Sequence, residues 1–166
     1  MLPQIPFLTP LDLELMARVL LSFGLGAVLG LERERTGRPA GLRTHMLVCA
    51  GSVCFTIAGI HGFAGPPTGN RDPARVAAQI VSGVGFLGAG TIFRDQSTIR
   101  GLTTAASIWL VAAIGMLIGT GLYALAIFAT ILGYATLERL KMPAQQRRRR
   151  VGEPSITDED GNELEE

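Results

Sequence analysis

A chain of 166 residues is enough for one domain and short for two, and 48% of its letters are hydrophobic against 17% charged. Nearly half of the charged residues lie after Leu137, and none at all lies between Leu102 and Leu137. That uncharged run far exceeds the roughly 20 residues a helix needs to cross a bilayer, and a soluble domain of this size has no interior large enough to hide it. A water-soluble protein is thereby excluded, whereas the net charge of +1 excludes nothing, because a basic and an acidic block cancel near the C-terminus.

Thr9, Pro10 and Asp12 combine an N-cap, a first-turn proline and an acidic third position, so the first helix is expected from about Pro10 to Thr36, with Gly37 and Pro39 ending it. No charged segment precedes its apolar stretch, so no cleavable signal is expected. Glu14 and Arg18 are spaced i,i+4, which lets the arginine pair with the glutamate or snorkel outward. A second span runs from Thr44 to about Phe63. Its Cys49 and Cys54 point away from each other on a helix, cannot bond within it, and read as small apolar fillers.

Gly62, Gly65, Pro66, Pro67 and Gly69 make a loop, after which Asp72-Pro73 opens a third span to about Phe93. That span concentrates Gly83, Gly85, Gly88 and Gly90. In lipid, small residues let neighbouring backbones approach closely, which places this glycine-rich third helix at the centre of the bundle. Gly26-xxx-Gly30 and Gly115-xxx-Gly119 repeat the small-xxx-small spacing, for internal packing or a homodimer seam. A polar connection from Arg94 to Gly101 leads to the uncharged run, which Gly119-Thr120-Gly121 divides into helices over about 102–118 and 122–140. The fold class is therefore all-α: a multi-pass transmembrane bundle with five spans over 1–140, followed by a disordered basic-then-acidic tail over 141–166.

Five spans put the termini on opposite sides. With the C-terminus inside, twelve basic residues are cytoplasmic, while Arg71 and Arg75 are external and Arg18 lies near them. The expected topology is N-out, C-in.

Two polar groups stand out. On the cytoplasmic face, Glu32, Arg33, Glu34 and Arg35 close the first helix, Arg43, Thr44 and His45 open the second, and Arg94, Asp95 and Arg100 mark the next inner loop. They serve either as anchors with mutual salt bridges or as a basic pocket for an anion, a lipid headgroup or the acidic surface of a partner. His45 sits where its charge would report cytoplasmic pH, or acts only as a hydrogen-bond partner. At depth, Gln79, Ser82, Thr103, Thr104 and Ser107 suit interhelical hydrogen bonds, and Gln79 is expected to point inward. Every carboxylate falls near an interface, which argues against a cation pump. With only His45 and His61, on opposite faces, neither a metal site nor a cofactor is expected, and no nucleophile with a base at matching depth suggests an enzyme.

Four blocks then carry a resemblance: Leu29-Gly30-Leu31-Glu32-Arg33-Glu34, Gly41-Leu42-Arg43-Thr44-His45, the run from Gln79 to Gly90, and Arg100-Gly101-Leu102-Thr103-Thr104-Ala105-Ala106-Ser107 with Trp109. In this order, over about 13–140, they resemble the hydrophobic domain of the MgtC/SapB family of bacterial inner-membrane proteins. The resemblance implies a multi-pass inner-membrane domain with a cytoplasmic C-terminus. The family's best-known members are virulence factors tied to low magnesium and described as acting on other membrane proteins. They carry a folded C-terminal cytoplasmic domain, whereas this chain has only a short polar stretch after Leu140. The function expected is a non-enzymatic regulator or adaptor linked to magnesium limitation or stress. Its expected partners are anionic lipid headgroups, other inner-membrane proteins and a second copy, with no nucleic acid among them. The alternative is a small ion or solute permease with Gln79, Ser82, Thr103 and Thr104 along its path.

Overall fold

The cap at Thr9 forms as its residues dictate. The Asp12 amide donates to the Thr9 hydroxyl at 3.2 Å, the Thr9 amide donates to the Asp12 carboxylate at 2.7 Å, and helix α1 runs from there over Pro10–Arg35. The computed structural model describes residues 8–62, 72–95 and 98–139, and of Asp95 the backbone alone. The expected tail over 141–166, most of the glycine and proline loop after the second span, and Gln96 and Ser97 lie outside these residues.

Helix α2, Leu42–Ile57, continues as a π-helical turn over Ala58–Gly62. Helix α3 covers Pro73–Ala89, capped by the Asp72 side chain, which accepts from the Ala74 amide. Strands β1, Phe93–Asp95, and β2, Thr98–Arg100, pair antiparallel with Phe93 opposite Arg100. Helices α4, Leu102–Gly119, and α5, Tyr123–Arg139, follow with a tight turn between them. That turn uses Gly121 at φ 84, a conformation costly for any residue with a Cβ.

The all-α multi-pass bundle stands. Helix α1, the continuous segment Leu42–Gly62 and helix α4 are each long and apolar enough to cross a membrane. Helices α3 and α5 have 17 residues each. At 1.5 Å per residue they reach about 25 Å, the short end of what a bilayer core asks for.

Three expectations are corrected. The third helix ends at Ala89 and not near Phe93, and the connection expected as a polar loop folds into a β-hairpin. Gly88 and Gly90 weaken the helix there, and Gly101, at φ 92, turns the chain where a Cβ would strike the Thr91 carbonyl. The glycine-rich helix is also not central. Most of α3 is exposed, and the centre is α4, whose Ile108, Val111, Ile114 and Ile118 are buried and which touches α1, α2, α3 and α5. Here summed apolar bulk outweighed smallness: α4 offers large side chains on every face, whereas a glycine run has little with which to fill a core.

The close approaches occur elsewhere. A Cβ on Gly30 would stand 2.7 Å from the Leu42 Cα, one on Gly26 2.9 Å from the His45 carbonyl oxygen, and one on Gly119 2.6 Å from the Thr56 Cβ. Both small-xxx-small pairs therefore pack α1 and α4 onto α2, leaving neither free as a dimer seam. Leu29, Cys49, Val53, Val111, Ile114, Ile118 and Ala126 form the main core beside them.

Candidate functional site

The end of the bundle where α1 finishes, α2 and α4 begin and most of the described arginines gather is the arginine-rich end. Here the two polar groups expected separately from sequence meet. Arg33, on the last turn of α1, reaches across to α4, where its Nη2 donates to the Thr104 hydroxyl at 3.3 Å. Its Nη1 lies 3.6 Å from a carboxylate oxygen of Glu32. Both side chains are about 5% exposed, so this is a buried ion pair. Such a pair costs desolvation on both sides and persists where further hydrogen bonds support it.

His45 completes the cluster and is fully buried. Its Nδ1 lies 2.9 Å from the Gly41 carbonyl and its Nε2 3.0 Å from the Ser107 hydroxyl, which in turn lies 2.8 Å from the Thr104 carbonyl. A carbonyl only accepts, so Nδ1 donates to Gly41. The Ser107 proton then has two acceptors in reach. With a neutral ring it can turn to Nε2, and with a charged ring Nε2 donates to Ser107 while the serine donates to Thr104. The same heavy-atom geometry serves both protonation states by rotation of one hydroxyl.

The local sequence explains how these groups converge. Gly30 brings α2 against α1 one turn before Arg33, so the start of α2 lies beside the end of α1. Gly41 supplies no capping side chain, and the Glu34 carboxylate fills that place by accepting from the Leu42 amide at 2.7 Å. Glu34 thus staples the α1–α2 turn from outside while Glu32 and Arg33 hold it from inside.

The ten residues expected on this face therefore divide. Glu32, Arg33 and His45 are buried, Thr44 is half-buried, Glu34 is the staple, and Arg35, Arg43, Arg94 and Arg100 are exposed around them. The side chain of Asp95 lies outside the described set. Of the two readings of this face, the mutual salt bridge is present between Glu32 and Arg33, which with His45 form a buried knot, and the exposed arginines form a basic rim around it. Of the two roles open to His45, the structure places it as a buried hydrogen-bond partner.

The intramembrane set divides as well. Thr104 and Ser107 belong to the knot, whereas Thr103 is exposed. Gln79 and Ser82 are exposed on α3, contrary to the expectation that Gln79 points inward. Gln79 lines a groove of about 500 Å³ between α2 and α3, with Leu47, Phe55, Val76, Gly83 and Leu87 among its walls. Gln79, Ser82, Thr103 and Thr104 thus do not form one lined path. Of the packing glycines, a Cβ on Gly88 would stand an ordinary 3.6 Å from the Ala105 Cβ, one on Gly90 would meet only its own preceding turn, and one on Gly83 or Gly85 would meet nothing within 4 Å.

The opposite end holds a second, smaller cluster. Arg18 pairs with Glu14, donates to the Gly119 carbonyl at 2.7 Å and lies 5.8 Å from the ring centre of Tyr123. It ties α1 to the α4–α5 turn. Sequence reasoning found the Glu14 partner and missed Gly119 and Tyr123; an aromatic just past the Gly-Thr-Gly turn was the available signal. Gly41 was missed as an acceptor because a backbone carbonyl leaves no mark in a residue pattern. Among the described residues no three His, Cys, Asp or Glu side chains converge to hold a metal ion.

The sequence profile of the MgtC family matches residues 19–145, which include the whole polar knot. The chain is 45% identical over 128 residues to the putative magnesium transporter YhiD of Escherichia coli (strain K12), covering 75% of this chain and 60% of that protein. It is 48% identical over 110 residues to protein MgtC of Brucella abortus (strain 2308), covering 66% of this chain and 44% of that protein. It is 46% identical over 123 residues to protein MgtC of Salmonella typhimurium (strain 14028s / SGSC 2262), covering 74% and 49%. The chain thus spans roughly half of the length of these curated relatives. No solved structure matches.

Proposed function

The chain belongs to the MgtC family of membrane proteins, and from that premise we propose that it is a non-enzymatic regulator in the bacterial inner membrane. It engages other membrane proteins through its lipid-facing helices and the exposed arginines of its basic rim, in the setting of magnesium limitation or stress. The observation that carries this reading is the sealed layer between the two polar ends. Leu29, Val53, Val111, Ile114 and Ile118 are wholly buried there. The hydroxyls within the bundle turn back onto their own helices: Ser22 donates to the Val19 carbonyl, Ser52 to Val48, Thr56 to Ser52 and Thr130 to Ala126. An ion crossing here would give up its hydration shell among hydrocarbon side chains, with no carboxylate to replace it.

The link to magnesium is supported by the name of the Escherichia coli relative. The N-out, C-in topology is supported by the arginines of one end, where Arg35, Arg43 and Arg94 are exposed on the side that anionic headgroups would meet. Glu32 belongs to the buried knot, so its replacement tests folding; partner capture is tested on the rim.

Full-length protein in liposomes loaded with a magnesium-sensitive dye should admit no more Mg²⁺ than protein-free vesicles. Saturable influx that Gln79→Leu abolishes would overturn the reading in favour of a permease. From native membranes, a charge reversal at Arg35 and Arg43 should lower recovery of co-purifying membrane proteins by about tenfold with insertion unchanged.

A further inference from the structure

The β-hairpin stands between two spans, and their lengths fix its depth. Only Gly90, Thr91 and Ile92 separate strand β1 from α3, and only Gly101 separates β2 from α4. The two helices have 17 and 18 residues. At 1.5 Å per residue they are about 25–27 Å long against a hydrocarbon core of about 30 Å, so they do not lift the ribbon clear of the lipid. A three-residue strand reaches about 10 Å, enough to cross one headgroup layer. Water is scarce at the base of that layer, and a ladder pairs backbone groups that an open loop would leave to the lipid.

The side chains match this depth. Strands β1 and β2 pair with each other and pack little on the helices among the described residues. Phe93 on β1, Ile99 on β2 and Leu102 at the start of α4 are each more than half exposed. Arg94 is exposed as well and lies opposite Ile99 in the ladder, so the two share a face of the ribbon, while Phe93 projects from the other face. Water alone would leave three large apolar side chains bare within ten residues of chain. Trp109 follows Leu102 at i+7, is also exposed, and continues the apolar surface down α4 from the foot of the ribbon. An aromatic and aliphatic body with an arginine beside it is the composition of a membrane–water boundary, where the arginine stem lies along apolar surface and its head reaches outward.

We infer that the hairpin is an anchor in the headgroup layer, with Phe93, Ile99 and Leu102 seated among the uppermost acyl carbons and Arg94 on the phosphate of an anionic phospholipid. The covalent placement of the ribbon decides the occupant: it is held at the lipid surface by a spanning helix on each side. Charge decides the kind of lipid, because Arg94 shares this end of the bundle with the exposed Arg35 and Arg43, and a guanidinium meets phosphate oxygens with a fork of donors. The inference goes beyond the regulator reading and fails separately from it: a ribbon found in water would leave both the absence of magnesium flux and partner capture at Arg35 and Arg43 as they are.

The test uses the full chain carrying Trp109→Phe and Phe93→Trp, so that position 93 holds the fluorophore. It is placed in vesicles of phosphatidylcholine with about a quarter phosphatidylglycerol. Lipids brominated high on the acyl chain should quench the emission by more than half, and lipids brominated near the chain end by much less. At equal amounts, brominated phosphatidylglycerol should quench at least twofold more than brominated phosphatidylcholine, and Arg94→Gln should abolish that preference. In the parent background, quenching of Trp109 should be unchanged by Arg94→Gln, which separates a lost lipid contact from a lost fold. Ile99→Trp repeats the measurement from the second strand should Phe93→Trp fail to insert. Emission quenched by aqueous iodide and not by bromine would put the ribbon in water, and emission that neither reaches would put it under protein, of this chain or another; either result overturns the anchor. Equal quenching by the two brominated lipids, or a preference indifferent to Arg94→Gln, would overturn the phosphate contact.

Discussion

Gly26 and Gly30 in α1 and Gly115 and Gly119 in α4 face α2 so closely that a Cβ on any of them would collide, whereas Gly83 and Gly85 in α3 face open space. The two regions share a residue type and differ in their neighbours. Where α1, α2 and α4 meet, the glycines buy backbone proximity, and that proximity brings Arg33 within reach of Thr104 and His45 within reach of Ser107. On α3 the same residue leaves a helix thinly attached, packed on α4 and less on α2, with most of its outer face exposed. Close backbone packing and polar closure thus belong to one region, and exposed helix surface belongs to the other.

The largest break in this comparison comes from the knot. Arg33→Met removes one member of a buried ion pair and leaves the Glu32 carboxylate without its arginine, a change worth about 3–5 kcal/mol. Titration of the protein in mixed micelles with a denaturing detergent should show a strongly lowered unfolding midpoint. Adding Glu32→Gln to Arg33→Met should recover much of the loss, because the buried carboxylate no longer carries a charge. A single variant as stable as the parent would show that the pair does not hold the arginine-rich end together.

Next in size is Gly115→Ala. Its Cβ would lie 2.8 Å from the Ser52 Cβ and closer still to the Cys49 carbonyl, so α4 has to move away from α2. Overpacking of this kind costs about 1–3 kcal/mol, with more to be expected where backbone stands in the way. The same detergent titration reads it, and an unchanged midpoint would mean that the α2–α4 seam yields at no cost.

Much of this architecture was legible in the sequence. Thr9, Pro10 and Asp12 announced α1 because capping is a matter of neighbours three residues apart, and Gly119-Thr120-Gly121 announced the last turn for the same reason. Partition of the arginine-rich end was not legible. Glu32, Arg33, Glu34 and Arg35 are consecutive, yet the first two are buried and the last two exposed, and what separates them is the position of Thr104, 71 residues beyond Arg33. The place of α3 was missed for a related reason: small-xxx-small spacing reports that a helix can be approached closely, and only the competition with α4 for the core decides whether it is. Gln79 was missed for another reason: the cost of an amide against lipid argues that it needs a partner, and says nothing of which face of α3 the rest of the bundle covers.

Gly85→Ala marks the smallest expected effect and sharpens the comparison most directly. It lies on the glycine-rich helix, and a Cβ there meets nothing within 4 Å. With no neighbour to displace, only the helix propensity changes, and alanine is the better helix former; the midpoint should stay within about 0.5 kcal/mol of the parent or rise slightly. The same one-carbon addition is thus expected to be costly at Gly115 and nearly silent at Gly85. A loss at Gly85 as large as that at Gly115 would mean that α3 is packed on that side after all, by a surface of its own bundle or of another chain, and the division into a closed region and an open one would fail there.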